Sequence, residues 1–310
     1  MSLGQRVSVV KRGDALKPPL PVVDGVAPSR QTLPAGAWET VLDFLAERHA
    51  SVGADVWAAR MLRGEVVDET GTRLTPSSPY RAGACVFYYR EPEDEPRVPF
   101  EERVLHQDRH LLVADKPHFL PVVPAGRFLR ETLLVRLKRL TGERHLVPVH
   151  RIDRETAGLV VFSVDPSTRG AYASLFQRRE VSKVYHARAP SNDSLSFPLT
   201  RRSRIVAGEP FFRVKEVEGE PNSETRVALL AREGATSLYE ARAVTGRKHQ
   251  VRLHLAALGI PVTGDRLYPE VLPPNAPEDF SAPLKLLAKS LSFRDPVTGG
   301  ERHFESERKL

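Results

Sequence analysis

Cysteine is almost absent from this chain: Cys85 is the only one in 310 residues. A single thiol excludes an intramolecular disulfide and a multi-cysteine zinc site, and it fits a reducing compartment. Long apolar runs are missing too. No stretch of about 18 uninterrupted apolar residues occurs, so no membrane span is expected. The segment Met1 to Gly13 lacks the apolar core of a secretory signal. These absences make the cytoplasm the expected address. Several enzyme signatures are lacking as well: a Gly-x-Ser-x-Gly elbow, a Gly-x-x-x-x-Gly-Lys phosphate loop and a paired-histidine zinc helix. Their joint absence leaves a hydrolase with little support.

Positive charge, by contrast, is in excess. Lys and Arg total 46 against 39 Asp and Glu, a net of +7, which favours a polyanionic partner. The placement is more informative than the total. Arg178, Arg179, Lys183 and Arg188 lie close together, as do Arg201, Arg202 and Arg204, and then Arg247, Lys248 and Arg252. A solvated surface accounts for any one cluster; three of them beside the polar motifs below point towards phosphate contacts.

The chain reads as three segments. Residues 1–35 carry Pro18, Pro19, Pro21, Pro28 and Pro34 and few large apolar groups, the composition of an extended or weakly ordered arm. Residues 36–92 hold two apolar periodicities at helical spacing, Val41 to Leu45 and Val56 to Leu62. Gly64 closes the second, and β-like pieces at Val66–Val67 and Cys85–Tyr89 follow. Glu91 to Pro99, acidic and proline-rich, reads as a linker. A larger domain occupies 98–310. Strands are expected at 111–114, 159–164, 184–189, 225–231, 238–244 and 284–293. Helices are expected at 131–140, from an Asp165-Pro166 cap, and at 249–258 before Gly259 and Pro261. Many strands with few interleaved helices predict an α+β domain with a mixed, mostly antiparallel sheet.

Three motifs carry chemistry. Val149-His150-Arg151-Ile152-Asp153-Arg154-Glu155-Thr156-Ala157-Gly158 is a polar turn running into an apolar strand, which holds a carboxylate rigidly while letting it face a cleft. A solvated surface turn is the competing reading. Thr245-Gly246-Arg247-Lys248-His249-Gln250-Val251-Arg252 spans a strand-to-helix junction, where unpaired backbone N–H groups suit phosphate oxygens. Arg252 can reach from the helix to a carboxylate and fix its orientation. His249 and His254 are five apart, not the four of a zinc helix, so no metal is expected. The same helix is too apolar for the recognition helix of a DNA-binding factor. Lys183-Val184-Tyr185 sits in a strand, with Lys183 and Tyr185 on one face. A tyrosine there can stack on an unpaired base or simply be half-buried.

In this order the motifs resemble those of the RluA family of pseudouridine synthases. The family's His-Arg-Leu-Asp segment, ending in Ser-Gly, is similar to His150–Asp153 and Ala157-Gly158, with Ile152 and Ala157 as departures. Its Lys-x-Tyr and Gly-Arg-x-His-Gln-x-Arg segments match Lys183–Tyr185 and Gly246–Arg252. Ala114-Asp115-Lys116-Pro117 and Gly264-Asp265-Arg266-Leu267-Tyr268 also look like family landmarks. The resemblance covers roughly Phe100 to Phe304. It implies a pseudouridine synthase fold with an RNA-binding cleft. It further implies Asp153 as the catalytic aspartate, Arg252 as its salt-bridge partner and Tyr185 as the ring against the target base. Arg151 would help open the RNA. His150, Arg154, Lys183, Arg247, His249, Gln250 and Leu286 are then substrate-binding. Leu287 stands where the family has histidine, a change expected to affect packing. Residues 36–92 resemble a diverged S4-like RNA-binding module, although six arginines face seven acids over 38–90.

The activity so implied isomerises one uridine in structured ribosomal or transfer RNA. The carboxylate acts as nucleophile at the sugar or as base on a ribose proton. With no redox change or external group, no cofactor is expected, and a monomer is. The alternative reading is a catalytically inactive RNA-binding protein on the same scaffold.

Overall fold

The computed structural model describes residues 18–91, 95–273 and 279–310. The chain forms two compact units, Met1–Glu93 and Asp94–Leu310.

In the first unit, β1 (Ser29–Thr32), α1 (Val41–Arg48), α2 (Ala54–Leu62), β2 (Val66–Asp68) and β3 (Cys85–Tyr88) follow in order. The strands make an antiparallel sheet ordered β1-β3-β2. Helix α1 starts where it does because Thr40 and Asp43 form a reciprocal capping box. The Asp43 N–H donates to the Thr40 hydroxyl at 3.1 Å, and the Thr40 N–H donates to the Asp43 carboxylate at 2.9 Å. Phe44, Leu45, Trp57, Met61, Val66 and Val86 close the core between helices and sheet. Of the expected arm, residues 1–17 lie outside the described residues. Ser29–Thr32, however, is a paired strand and not an arm. Its prolines, Pro28 and Pro34, flank the ladder without entering it, so no N–H is lost from the pairing.

The second unit contains β4 (Arg103–Gln107), β5 (Leu111–Lys116), α3 (Leu133–Thr141), β6 (Val147–Pro148), β7 (Ala157–Ser163), α4 (Arg169–Gln177), β8 (Ser182–Pro190), β9 (Leu199–Ala207), β10 (Val214–Val217), β11 (Ser223–Glu233), β12 (Thr236–Ala243), α5 (Gln250–Ala257), β13 (Leu286–Arg294) and β14 (Glu301–Glu305). Its sheet runs β10-β9-β11-β12-β8-β13-β7-β5-β4, with β14 on β13 and β6 on β7. Among the described residues β7 and β13 make its one parallel pairing. This is the expected α+β architecture with a mixed, mostly antiparallel sheet.

Strands β5 and β7 read as unbroken apolar runs because both of their faces are covered. Leu112, Ala114, Val160 and Phe162 pack with Leu133 and Leu137 of α3. The alternate residues Leu111, Val113, Leu159 and Val161 pack with Tyr172 and Leu175 of α4. Further along the sheet, Val251 and Leu255 of α5 cover Val227, Tyr239 and Ala241.

Local expectations needed correction in several places. Helix α4 begins at Arg169 because the Asp165 carboxylate accepts from the backbone N–H and hydroxyl of Ser167, closing a separate turn first. Glu95, expected in a linker, accepts backbone N–H groups of Leu129, Arg130 and Glu131 at 2.6, 3.0 and 2.7 Å, and Val98 is buried. Strands β4, β9, β10 and β14 escaped notice because charged residues interrupt their alternation.

Candidate active site

The loop before β7 is held from below by groups with no polar freedom left. Lys116, fully buried at the end of β5, donates to the carbonyls of Pro117, Leu120 and Arg154 at 2.9, 2.7 and 3.0 Å. The His150 ring stacks on Phe176 at 4.6 Å, and its Nε2 accepts the Val161 N–H at 3.1 Å. Burial, with Lys183 nearby, pushes its pKa down to about 3, so the ring is neutral. His150 therefore anchors the loop to β7, and it also lines the cavity onto which the loop opens. At the loop's end Gly158 adopts φ +110°, and a Cβ there would lie 2.3 Å from the Ala288 carbonyl oxygen. Only glycine permits the close β7–β13 approach.

These constraints present the Asp153 side chain, about a quarter exposed, to a cavity of about 600 Å³. Its wall includes Arg151, Tyr185, Lys248, His249, Arg252 and Leu286. Arg252 extends from α5 with its guanidinium almost wholly buried and donates from Nη1 to Asp153 Oδ2 at 3.2 Å. Its stronger partner is Asp265, which accepts from Nε and Nη2 at 2.7 Å each. Asp265 in turn accepts the N–H groups of Leu267 and Tyr268 at 2.8 and 3.1 Å. The two carboxylates hold the Arg252 pKa above its ordinary value despite burial. The expected Asp153–Arg252 pair is thus one arm of a triad whose fixed end is Asp265. The sequence offered that residue only as part of a landmark.

His249 begins the turn into α5 with φ 52°. Its Nε2 lies 3.7 Å from Asp153 Oδ1, and its Nδ1 lies 3.0 Å from the Tyr268 hydroxyl. Burial lowers its pKa, while Asp153 opposes the shift. Gln250 is buried at the edge of the cavity, with its side-chain amide hydrogen-bonded within the fold. Its Oε1 accepts from the Thr245 hydroxyl and the Arg247 N–H, and its Nε2 donates to the Glu224 carbonyl and the Thr225 hydroxyl. It clasps the β12–α5 loop where that loop borders the cavity. Lys183 does similar service by donating to the Thr245 carbonyl at 3.2 Å.

Tyr185 and Leu286 line the cavity from β8 and β13. Burial and the adjacent Asp153 push the Tyr185 phenol above its usual range, keeping it protonated. Arg151 and Arg247 are exposed on the wall. Arg154 lies over the Phe128 ring and donates to Glu155 at 2.9 Å. Other basic residues are less available than their clustering implied: Arg178 pairs with Glu180, Arg188 with Glu233, Arg201 with Glu216 and Arg202 with Glu224. Of those acids, Glu233, Glu216 and Glu224 come from strands that only the fold brings close. His254, expected as the other histidine of its motif, is fully buried, with its ring on the hydroxyls of Ser203, Ser223 and Thr225.

Comparison with known proteins adds four matches. A family model described as RNA pseudouridylate synthase matches residues 110–257. The chain is 32% identical over 234 residues to an uncharacterised RNA pseudouridine synthase of Synechocystis sp., covering 74% of this chain and 79% of that one. It is also 32% identical over 232 residues to the dual-specificity RNA pseudouridine synthase RluA of Vibrio cholerae, covering 67% and 90%. Among solved structures, human RNA pseudouridylate synthase domain containing 4 superposes with a TM-score of 0.51 at 26% identity, covering 66% of this chain and 87% of that one.

Proposed function

This chain belongs to the RluA family of RNA pseudouridine synthases and is an isomerase acting on RNA; on that premise we propose that Asp153 is its catalytic carboxylate and a uridine of structured RNA its substrate. The observation that carries the assignment is the Asp153 side chain facing the cavity with one oxygen held by buried Arg252.

The chemistry requires the N1–C1′ bond to break, the uracil to turn, and C5 to join C1′. One carboxylate suffices, either as nucleophile at C1′ or as base at the ribose. Arg252 orients it, because Asp265 fixes the guanidinium independently of Asp153. Reaching the uridine means taking it out of its stack, which costs a few kcal/mol. Tyr185 on the cavity wall offsets part of that cost, since stacking on an aromatic ring contributes about 1–3 kcal/mol per base. Arg151, Arg247 and Lys248 supply positive charge around the opening for the phosphate backbone.

Residues 36–92 are read as an S4-like RNA-binding module. Two helices packed on the strands β2 and β3, with β1 (Ser29–Thr32) added from just before this range, support the reading. Its balance of charge argues for contacts by shape more than by net attraction. The target is ribosomal or transfer RNA, acted on in the cytoplasm by a monomer.

Mapping pseudouridine across cellular RNA, with and without this gene and with an Asp153→Asn rescue, tests the proposal. A site lost on deletion and not restored by the variant is expected, with RNA binding by the purified variant unchanged. Restoration by the variant would remove Asp153 from the chemistry. No change at any site would favour an inactive RNA-binding protein.

A further inference from the structure

Asp153 accounts for breaking the glycosidic bond, but the isomerisation has a second requirement. Once C5 has bonded to C1′, C5 still carries its hydrogen, and a base must remove it to restore the C5=C6 double bond. Asp153 is placed for the sugar, and three other groups on the cavity wall come into question.

His150 is unsuitable because its Nε2 already accepts the Val161 N–H. Tyr185 keeps its phenolic proton. His249 differs from both, and its hydrogen-bond network identifies the nitrogen that carries a proton. The Tyr268 hydroxyl accepts the Val214 N–H at 3.0 Å and donates its single hydrogen to the Val214 carbonyl at 3.2 Å. Both bonds go to the outer side of β10, which ends the sheet. With that hydrogen on the Val214 carbonyl, Nδ1 is the donor in the 3.0 Å contact, and this is the tautomer on which the proposal is built. Nε2 is then the bare nitrogen, facing the cavity. Its 3.7 Å separation from Asp153 Oδ1 is beyond hydrogen-bond length, so no proton is shared between them.

We propose that His249, through Nε2, is the base that takes the C5 proton of the rotated uracil. The assignment rests on the reading of Asp153 as the group at the sugar. C5 ends bonded to the carbon beside that carboxylate, so a nitrogen less than 4 Å from the carboxylate is within reach of the C5 hydrogen. The C5–H electron pair re-forms the C5=C6 bond, N1 takes a proton from water, and the imidazolium later returns its proton to solvent. The charges acting on the ring are those of Asp153 and Glu155, which favour its protonation, and of Arg252 and Lys248, which oppose it. Asp153, a carboxylate again once C5 has bonded to C1′, stabilises the imidazolium at the moment it forms. Tyr268 is a positioning residue, since it sets the tautomer without reaching the cavity.

The test separates removal of the C5 proton from the earlier steps. His249→Asn is the variant of choice, because asparagine tolerates the left-handed backbone and its amide N–H can replace Nδ1–H while Nε2 is lost. Total RNA from cells lacking the gene, labelled with [5-³H]uridine, reports C5–H loss as released tritium. RNA from the same cells carrying 5-fluorouridine reports only cleavage, rotation and C5–C1′ bonding, because its C5 has no proton to lose. The expectation is that H249N loses about 10²-fold or more in tritium release while forming the C-linked fluorinated product within threefold of the wild-type rate. Deuterium at C5 should slow H249N more than wild type. Equal loss of both activities would reduce His249 to binding or orientation, and retained tritium release would overturn the assignment. Asp153→Asn is expected to lose both; its retention of either would overturn the Asp153 reading instead.

Discussion

Asp265 receives four hydrogen bonds: two from the Arg252 guanidinium and two from backbone N–H groups. Its side chain is fully buried, and that of Arg252 is 2% exposed. Asp265→Asn preserves shape and one acceptor but removes the charge and turns an NH₂ towards a guanidinium N–H. Removing one partner of a buried pair costs about 3–5 kcal/mol, because the remaining charge is left without its counter-ion. Asp153 still contacts Arg252 at 3.2 Å, which sets the expectation at the lower end, about 3 kcal/mol. For a unit of this size that corresponds to a fall in Tm of roughly 6–12 °C. Urea and thermal unfolding followed by circular dichroism would measure it. Tryptophan fluorescence is the wrong probe, since Trp38 and Trp57 are the only tryptophans and both lie in the first unit. Turnover should fall with stability, because a guanidinium released from Asp265 no longer holds Asp153 in one orientation. A variant losing under about 1 kcal/mol and turning over within threefold of wild type would refute the claim that Asp265 is the fixed end of the triad.

Two further outcomes follow from the packing. Gly158→Ala meets both a positive φ and a backbone oxygen at 2.3 Å, so it should separate β7 from β13 and cost more than about 2 kcal/mol; urea unfolding with an unchanged midpoint would count against that contact. The buried His254 has its pKa lowered from 6.5 to about 4, chiefly by desolvation. The unfolded state therefore takes up a proton first as pH falls. The stability held above pH 6.5 is lost progressively towards pH 4, about 3 kcal/mol in all. Unfolding free energies measured across that range should fall more gently in His254→Gln, and an identical slope would show that the proton goes elsewhere.

The legibility of this protein divides by the range of the interactions. Helix α1 announces itself through the helical spacing of Val41, Phe44 and Leu45, and the buried runs of β5 and β7 through unbroken apolar residues. Both are local signals. The polar turn at Asp153 and the β12–α5 junction were readable as motifs for the same reason. Strands such as β9 were not, because Arg201 and Arg202 look like a basic patch until Glu216 and Glu224 arrive from β10 and β11. Nor did the sequence distinguish the parts within a motif. His150 and Gln250 line the cavity with the others, yet His150 Nε2 is committed to Val161 and the Gln250 amide to Thr245, Thr225 and nearby backbone.

The sequence by itself determined the family, the α+β class and the two segments that carry the chemistry, since these follow from residue types at short spacing. The tertiary structure alone decided that Arg252 is anchored by Asp265, that the Tyr268 hydroxyl meets the His249 ring, and that Arg188, Arg201 and Arg202 are already paired. Each depends on a distance across the fold, and a buried charge or a hydroxyl's single hydrogen takes its meaning from the atom it meets there.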